Sequence, residues 1–259
     1  MTDYRDTMAF LAREYAGFTQ PWSAHVDPRN GEDAYTELVA EHLDAERVVL
    51  EAGCGHGVDA LWLAGRAKRV IAFDGSPEFI ELARASARTS GVRNVELLVA
   101  DCSPKRNGGR ARLPADDGSV DLLVSRRGPS SWIADARRVV RPGGTLIQLA
   151  FMPTPAPPWN EELPAEVRLQ PEPKIMPGQV LRRLEEAGLT LYGSWIFDVP
   201  EVFTAAEELY KRLIWERRRA DAPPYAEVRH SFEAVLARHG SRKGLALRQR
   251  RFLWKVEIG

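Results

Sequence analysis

The chain has 259 residues, which is enough for one large domain or for one domain with an elaborate cap. Its 36 basic residues balance 36 acidic ones, so no strong overall field attracts nucleic acid or a membrane surface. Two cysteines are too few for a disulfide framework or a cysteine zinc site, the N-terminus lacks the pattern of a signal peptide, and no apolar run approaches the roughly 20 residues that span a bilayer. We therefore expect a cytoplasmic protein that binds no metal.

The N-terminal residues 1–44 are predicted to form a helical arm or lid ahead of the main fold. Apolar residues at helical spacing predict an amphipathic helix within residues 1–20. Prolines and a glycine mark the next segment as a loop, which carries Trp22 and His25. Two interpretations stay open: Trp22 anchors the arm on the core, or the arm folds over a ligand and contacts the substrate. A second helix is predicted over residues 32–42.

A glycine-rich turn follows the first strand of the main fold. Residues 47–50 are an apolar, β-branched run that predicts a short buried strand, and the run stops at Glu51. Three glycines then occupy alternate positions: Gly53, Gly55 and Gly57. A strand, a glycine turn and a helix together bring bare backbone N–H groups up to a ligand. The dinucleotide fingerprint would place its third glycine at Val58, so the spacing disfavours NAD, and an acid at the strand end suits a cation better than a pyrophosphate.

Two further strands are each followed by an acid. Residues 69–73 form a predicted strand that ends at Asp74, and residues 95–100 form another that ends at Asp101. An acid some twenty residues after a glycine loop can accept hydrogen bonds from both ribose hydroxyls of an adenosine, which is common to several nucleotide sites. Between the two strands, Ser76 is predicted to cap a helix that runs to about Ser90.

The fourth strand of the main fold delivers two adjacent arginines. Residues 120–124 predict this strand, and Ser125, Arg126 and Arg127 follow at its carboxyl end. In an open parallel sheet, ligands bind at that edge. One arginine can pair with a carboxylate of a ligand or with a neighbouring acid, and the other can face an anionic substrate; alternatively, both project into solvent. A helix over residues 129–140, an Arg-Pro-Gly-Gly turn and a fifth strand over 145–151 come next.

The C-terminal part of the chain departs from a minimal alternation of strands and helices. After a helix over 179–187 and a sixth strand over 189–197, two helices are predicted over 201–220 and 225–239. A seventh strand over 249–258 ends the chain. Basic residues are frequent here, with a run at 217–219 and a scatter from Arg238 to Arg251. They form either a solvated face or an RNA-facing patch.

Four features in this order resemble the class I S-adenosylmethionine-dependent methyltransferases. They are the Glu-x-Gly-x-Gly-x-Gly loop, the acid after the second strand, the acid after the third and the Pro-Gly-Gly turn, and the resemblance covers roughly residues 45–152 plus the final strand. It implies an α/β fold with a doubly wound, mostly parallel seven-stranded sheet whose last strand is antiparallel. We expect a Rossmann-like core over 45–199, a helical substrate cap over 200–246 and a final core strand over 247–259.

The resemblance also implies the cofactor S-adenosyl-L-methionine (SAM) and a set of residues that bind it. Asp74 is assigned to the ribose and Asp101 to the exocyclic amine of adenine, with Cys102 beside the ring. The implied cofactor-binding residues are Glu51, Gly53, Cys54, Gly55, Gly57, Asp74, Gly75, Ser76, Asp101, Cys102, Ser125 and Arg126. The candidates for substrate contact are Tyr15, Trp22, His25 and Arg127.

No catalytic residue is assigned, because methyl transfer from a sulfonium needs a general base only when the nucleophile is protonated. His56, in the glycine loop, is expected to face solvent or a neighbour instead of acting as a base. Three functions remain: a methyltransferase acting on a small molecule, favoured by the neutral net charge and the cap; an RNA methyltransferase acting on a ribosomal base, favoured by the C-terminal basic residues; and a non-catalytic SAM-binding protein. The oligomeric state is not predicted.

Overall fold

One mixed sheet organises the molecule. The computed structural model describes residues 4–169, 177–215 and 222–259. The strands are β1 (His25–Val26), β2 (Val48–Ala52), β3 (Arg69–Asp74), β4 (Val95–Val99), β5 (Val120–Arg126), β6 (Val140–Phe151), β7 (Leu191–Phe203) and β8 (Leu245–Glu257). Their spatial order is β1-β7-β8-β6-β5-β2-β3-β4. Strands β4, β3, β2, β5 and β6 are parallel to one another, and β8 lies antiparallel between β6 and β7.

Helices cover both faces of the sheet. The helices are α1 (Tyr4–Tyr15), α2 (Glu32–Ala40), α3 (Val58–Ala64), α4 (Pro77–Thr89), α5 (Ala136–Val139), α6 (Pro177–Glu186), α7 (Ala206–Leu213) and α8 (Tyr225–His239), and short 3₁₀ segments occupy Pro104–Arg106, Ser131–Asp135, Pro158–Glu162 and Ala165–Val167. One core joins the sheet to α2, α3 and α4, and the other joins it to α5, α6 and the segment Ser131–Asp135. The doubly wound α/β prediction is therefore confirmed, because parallel strands linked by helical crossovers are buried on both faces. None of the described helices has the length and apolar character that a membrane crossing needs.

Within the described ranges the sheet has eight strands and not the predicted seven. The additional strand is β1, in which His25 pairs with Val202 and Val26 with Glu201 of the edge strand β7. A two-residue strand is too short to show the alternation by which strands are recognised, and the sequence therefore predicted a loop here. The predicted antiparallel last strand is confirmed, since β8 pairs with both β6 and β7.

The boundary between the predicted core and the predicted cap falls inside a strand. Residues 201–203 were expected to begin a helix, but they extend β7 to Phe203, which pairs with Leu245, and α7 begins only at Ala206. The final strand likewise begins at Leu245, ahead of the predicted residue 249. Cross-strand pairing over thirteen residues outweighs the local preference, because each strand completes the hydrogen bonds of the other. The predicted helical residues 216–220 and the basic run 217–219 lie outside the described residues.

The segment between β5 and β6 is less helical than predicted. Of residues 129–140, Ser131–Asp135 form a 3₁₀ segment and Ala136–Val139 one turn of α-helix, and Val140 already belongs to β6. Asp135 ties the segment to the preceding loop, since it accepts hydrogen bonds from Leu113 N (2.7 Å) and from the Arg138 guanidinium (2.7 Å). The Arg-Pro-Gly-Gly turn is incorporated in β6, where Gly143 has a φ of 77°.

Strands β7 and β8 extend past the rest of the sheet. The last residue of β6, Phe151, pairs with Arg251, and the preceding part of β8 pairs with β7 alone. The helices α7 and α8 pack on this free hairpin around a core that includes Phe203, Phe232 and Trp159. The hairpin with its two helices stands beyond the carboxyl end of β6, and we call it the cap.

Candidate functional site

The glycine loop is a tight turn fixed by its own backbone. After β2, the amides of Gly53 and Cys54 both donate to Phe73 O, at 2.9 and 3.0 Å. The three glycines have φ values of 74°, 53° and 87°, a region that side-chain-bearing residues rarely adopt. Gly57 also lies against α4, because a Cβ on it would be 2.7 Å from Ala83 Cβ. The loop therefore needs glycine both for its conformation and for its packing.

Glu51 is a buried carboxylate with one oxygen uncommitted. Only 2% of the residue is exposed, and Oε2 has no hydrogen-bond partner among the described residues. Burial raises the pKa of Glu51 well above its usual range; Asp59 adds to this shift, and Arg126 opposes it. A buried carboxylate without a partner is costly unless a donor or cation reaches it. At the end of β2, it can accept a charged amine.

Asp74 joins the ends of two strands. Its Oδ2 accepts from Gly55 N at 3.0 Å and its Oδ1 from Ser76 N at 2.9 Å. Burial raises the pKa of Asp74, and these backbone donors partly offset that shift. Each carboxylate oxygen keeps a second lone pair, which leaves capacity for two hydroxyl donors. Ser76 caps α4 as predicted, since its Oγ accepts from Phe79 N at 3.3 Å, and a Cβ on Gly75 would have no atom within 4 Å.

The loop after β4 presents an exposed acid and a buried thiol. Asp101 is exposed, and its Oδ1 accepts from Ser103 N at 2.9 Å. Cys102 is 3% exposed, and its Sγ lies 3.7 Å from Ser131 Oγ. Burial raises the pKa of the Cys102 thiol, and it does the same for Cys54 in the glycine loop. Both thiols are therefore protonated near neutral pH and are poor nucleophiles.

A hydrogen-bonded chain links β6, β5 and β2 below the ligand-facing loops. Ser125 Oγ donates to Ala52 O at 2.8 Å. The fully buried Gln148 donates through Nε2 to Gly128 O at 3.1 Å and, more weakly, to Ser125 Oγ at 3.4 Å. A Cβ on Gly53 would lie 3.2 Å from Gly128 Cα, so the loops after β2 and β5 are in contact. Sequence reasoning missed Gln148, whose one signal is an amide inside an otherwise apolar strand.

Arginines and acids form a cluster at the carboxyl ends of β5 and β6, where the middle of β8 supplies Arg251. We define this arginine cluster as Arg126, Arg127, Arg251, Glu32 and Asp59. The Arg126 guanidinium pairs with both oxygens of Asp59, with Nε 2.6 Å from Oδ2, and its NH1 lies 3.2 Å from Glu32 Oε2. Glu32 Oε1 in turn is 3.1 Å from Arg251 NH2 and 3.4 Å from Arg127 NH1. The sequence allowed either a carboxylate of a ligand or a neighbouring acid as the partner of an arginine here. For Arg126 the structure contains the neighbouring acid.

Sequence reasoning missed Glu32, Asp59 and Arg251 as members of this cluster. They come from α2, α3 and β8, and only the folded chain brings them together. A small cavity of about 140 Å³ between α2 and α3 reaches the outer side of the cluster, where Tyr35, Trp62 and Arg126 line it. Arg126 is the one lining residue that belongs to the predicted cofactor set.

The N-terminal arm lies on the glycine loop. After α1, the chain turns through Ala16 and Gly17, whose φ values are 50° and 118°. Phe18 then packs on Phe79, with ring centroids 4.7 Å apart, and a Cβ on Gly55 would be 3.2 Å from the Phe18 ring. The Phe18 amide donates to His56 Nδ1 at 3.4 Å. The arm thus covers the glycine loop with an aromatic ring.

His56 is not arranged as a general base. Burial lowers its pKa, so the imidazole is neutral near pH 7. Since Nδ1 accepts from the Phe18 amide, the proton of the neutral ring is assigned to Nε2, which then donates. His56 therefore contacts a neighbour, the arm, as expected for this position.

Two of the candidate substrate residues meet the cap through aromatic contacts. Tyr15 and Trp22 both contact Trp215, with ring centroids 4.8 and 5.3 Å apart. Trp22 Nε1 also donates to Oε1 of the buried Glu201 at 3.0 Å, and Arg212 Nε lies 3.2 Å from Oε2 of the same carboxylate. This arm–cap junction anchors Trp22, whereas His25 is exposed and lies in β1.

No metal site accompanies these groups in the described ranges: three or more His, Cys, Asp or Glu side chains nowhere converge there in a way that could hold an ion.

Comparisons with known proteins find matches over the glycine loop and the strands around it. Residues 49–144 match the family model described as a methyltransferase domain. A probable S-adenosylmethionine-dependent methyltransferase of Mycolicibacterium smegmatis is 33% identical over 143 residues, which are 51% of this chain and 50% of that protein. A 2-heptyl-1-hydroxyquinolin-4(1H)-one methyltransferase of Mycobacteroides abscessus is 30% identical over 118 residues, covering 42% and 48%. A tRNA U34 carboxymethyltransferase of Shewanella baltica is 32% identical over 133 residues, covering 48% and 38%.

The matches to these curated relatives span half of their lengths or less. Among solved structures, a functionally unknown protein from Deinococcus radiodurans superimposes with a TM-score of 0.66 at 24% identity, covering 97% of this chain and 99% of that one. This likeness shows that the arm, the sheet and the cap recur together as one fold.

Proposed function

We propose that this chain, which carries a class I S-adenosylmethionine-dependent methyltransferase domain over its central strands, is itself a methyltransferase that acts on a small molecule. The observation that carries the proposal is the buried Glu51 carboxylate with its uncommitted Oε2 beside the glycine loop. The charged amine of SAM would complete this carboxylate, whereas the pyrophosphate of a dinucleotide would be repelled by it. This carboxylate acceptor therefore fits SAM and disfavours NAD.

The residues that would hold the cofactor follow the carboxyl ends of β2, β3 and β4. Glu51 would accept from the amine, Asp74 from the ribose hydroxyls and Asp101 from the adenine amine. When bound, the cofactor supplies an electrophilic methyl group on a positively charged sulfur. The protein orients the acceptor for in-line attack and excludes water, and Phe18 and the arm–cap junction are placed for the second task.

Two observations support a small molecule over RNA as the acceptor. Several of the described C-terminal basic residues are paired: Arg238 lies 2.7 Å from Glu162, and Arg248 and Arg250 both contact Asp198. The arm and the cap also meet through Trp22, Glu201 and Trp215, so the edge of the sheet is covered. A paired arginine releases few counterions on binding RNA and adds little affinity.

The test is a calorimetric titration with SAM, S-adenosylhomocysteine (SAH) and NAD. We expect the sulfur nucleotides to bind in about the micromolar range and NAD not to bind. Glu51→Gln keeps the shape of the side chain and an oxygen that can accept a hydrogen bond, but it removes the negative charge that pairs with the ammonium. It should weaken SAH binding about 30-fold, which corresponds to about 2 kcal/mol. The exposed Glu46→Gln is the matched control and should leave the affinity unchanged. Binding of NAD, or of no nucleotide, would refute the proposal.

RNA methylation is the second candidate, because a relative named for tRNA modification aligns with this chain. It is tested by measuring RNA binding at increasing salt concentrations. Contacts to phosphates weaken steeply with salt. Salt-dependent binding that tightens with SAH would replace the small-molecule proposal with this one, whereas weak, SAH-independent binding would leave the small-molecule proposal in place.

A further inference from the structure

The arginine cluster contains more positive than negative charge. Three guanidinium groups face the two carboxylates of Glu32 and Asp59. Two further acids act on the cluster: Glu51 interacts with Asp59 and Arg126, and Glu201, which acts on Arg251, is itself paired with Arg212. Under the proposed function, on which this inference rests, Glu51 is committed to the amine of the cofactor. The cluster then has one unbalanced positive charge in a partly buried place.

Arg251 lies buried within this excess of positive charge. The residue is 5% exposed, and its Nε is buried without a hydrogen-bond partner among the described residues. Its other nitrogens are used, since NH1 donates to Asn30 O at 2.8 Å and NH2 lies 3.1 Å from Glu32 Oε1. Burial lowers the pKa of Arg251; the charges of Arg127 and Arg126 add to this shift, and those of Glu32 and Glu201 oppose it. A further anion near these groups would stabilise all three.

Arg127 is the least committed of the three arginines. Arg126 holds Asp59 through two nitrogens, whereas the ion pair of Arg127 is a 3.4 Å contact with a Glu32 oxygen that Arg251 approaches more closely. The Arg127 side chain is 34% exposed, so it can reach both the cluster and a ligand. Its guanidinium also lies 5.8 Å from the centroid of the Phe151 ring.

The backbone at Arg127 supports a role in binding. Arg127 follows β5 directly and has a φ of 64°, which is uncommon for a residue with a side chain. Its amide donates to Leu149 O at 2.6 Å, which fixes the turn. Residues held in such conformations concentrate at functional sites, where the surrounding structure maintains them. Gly128 follows and contacts the glycine loop, so Arg127 stands beside the proposed cofactor site.

We infer that Arg127 binds an anionic group of the methyl acceptor and that the substrate is a small organic acid carrying a carboxylate. A carboxylate balances the single excess charge, whereas a phosphate group would bring close to two negative charges. The Phe151 ring beside the guanidinium offers a surface for the carbon skeleton of the acid. Glu32, held by Arg126 and Arg251, is a positioning residue that keeps Arg127 at the edge of the sheet until the substrate takes its place.

The inference is tested with SAH-saturated protein and two probes of the same shape, benzoate and the neutral benzamide. We expect benzoate to bind at least tenfold more tightly than benzamide. Arg127→Gln should abolish this preference and Arg127→Lys should restore part of it. Arg66→Gln, at an exposed arginine that follows α3, should leave it unchanged. Glu32→Gln should tighten benzoate binding several-fold, because it removes the competing carboxylate. Thermal unfolding of each variant confirms that it is folded.

Three results would overturn the inference: equal binding of the two probes, no binding of either, or a benzoate preference that survives in Arg127→Gln. Its failure is separable from failure of the proposed function. If SAH binds and benzoate shows no preference, the inference alone falls. If SAH does not bind, the proposed function falls, and the same comparison of probes in the free protein still decides whether the arginine cluster selects an anion.

Discussion

The two halves of the ligand-facing edge are held by different contacts, one mainly by backbone hydrogen bonds and the other by side chains. Around the glycine loop, backbone amides are held by Phe73 O and by the Asp74 carboxylate. Around the arm and the cap, side chains make the contacts: Trp22 donates a hydrogen bond to Glu201, and Tyr15 packs on Trp215. A site made from backbone tolerates no added atoms, whereas a junction made from side chains can lose one contact and keep its shape. The two halves should therefore respond differently to substitution.

The largest effect is expected at Gly57. In Gly57→Ala, the methyl group would lie 2.7 Å from Ala83 Cβ and the residue would keep a φ of 87°. Overpacking and backbone strain together should lower the free energy of unfolding by about 3 kcal/mol. Gly91→Ala is the matched control, because its φ is 68° but no atom lies within 4 Å. It should cost about 1 kcal/mol. Urea unfolding measures both, and equal losses would show that packing against α4 contributes nothing.

A smaller effect is expected at the arm–cap junction. Glu201→Gln should lower the free energy of unfolding by about 2 kcal/mol, because Arg212 loses its charged partner; that side chain is 25% exposed, so water replaces part of the interaction. The exposed Glu207→Gln, which loses a pairing with Lys211, should cost less than about 0.5 kcal/mol.

Limited proteolysis adds a local readout to the unfolding measurement at this junction. Cleavage at Arg13, near the end of α1, should become faster in Glu201→Gln than in Glu207→Gln. If the two variants behaved alike in both experiments, the buried carboxylate would not be what joins the arm to the cap.

The smallest effect, taken over a single pH unit, is the dependence of stability on pH at Glu51. Because the folded pKa lies above the ordinary 4.5, the contribution of Glu51 to stability is complete below that value and is lost as the pH rises towards the folded pKa. The wild type should therefore lose up to about 1.4 kcal/mol per pH unit relative to Glu51→Gln over this range. Urea unfolding at several pH values above 4.5 measures the difference, in which the opposite contributions of His42 and His56 cancel. Parallel stability curves would refute the assigned shift, and Glu46→Gln should follow the wild type.

The same division explains which features the sequence could predict. Glycines at alternate positions, an acid at a strand end and Ser76 at a helix start are local patterns, and they predicted the turn, the strand and helix that flank it and the N-terminal capping of α4 by Ser76. The partners of Arg126 could not be found in this way. Asp59 and Glu32 lie 67 and 94 residues away from it, and no local rule links such positions.

Strand β7 shows the same limit, because there distant residues override a local prediction. Its last residues resemble a helix start by composition, and they become strand only because β8, more than forty residues later, supplies partners up to the pair Phe203 and Leu245. The arm could be recognised as helical, but its seat on the glycine loop depends on the contact of Phe18 with Phe79, which is set by α4.

The pair Phe203 and Leu245 also bears on how a protein of this fold can diversify. The chain leaves the sheet after Phe203 and returns to it at Leu245, two residues that lie opposite each other. The chain between them therefore enters and leaves the sheet at one place, although Trp215 also contacts Tyr15 and Trp22 of the arm. Exchanging residues 204–244 between proteins of this fold would leave every sheet pairing intact. Under the proposed function, residues 204–244 could thus be exchanged to suit another acceptor without altering the strands that carry the glycine loop.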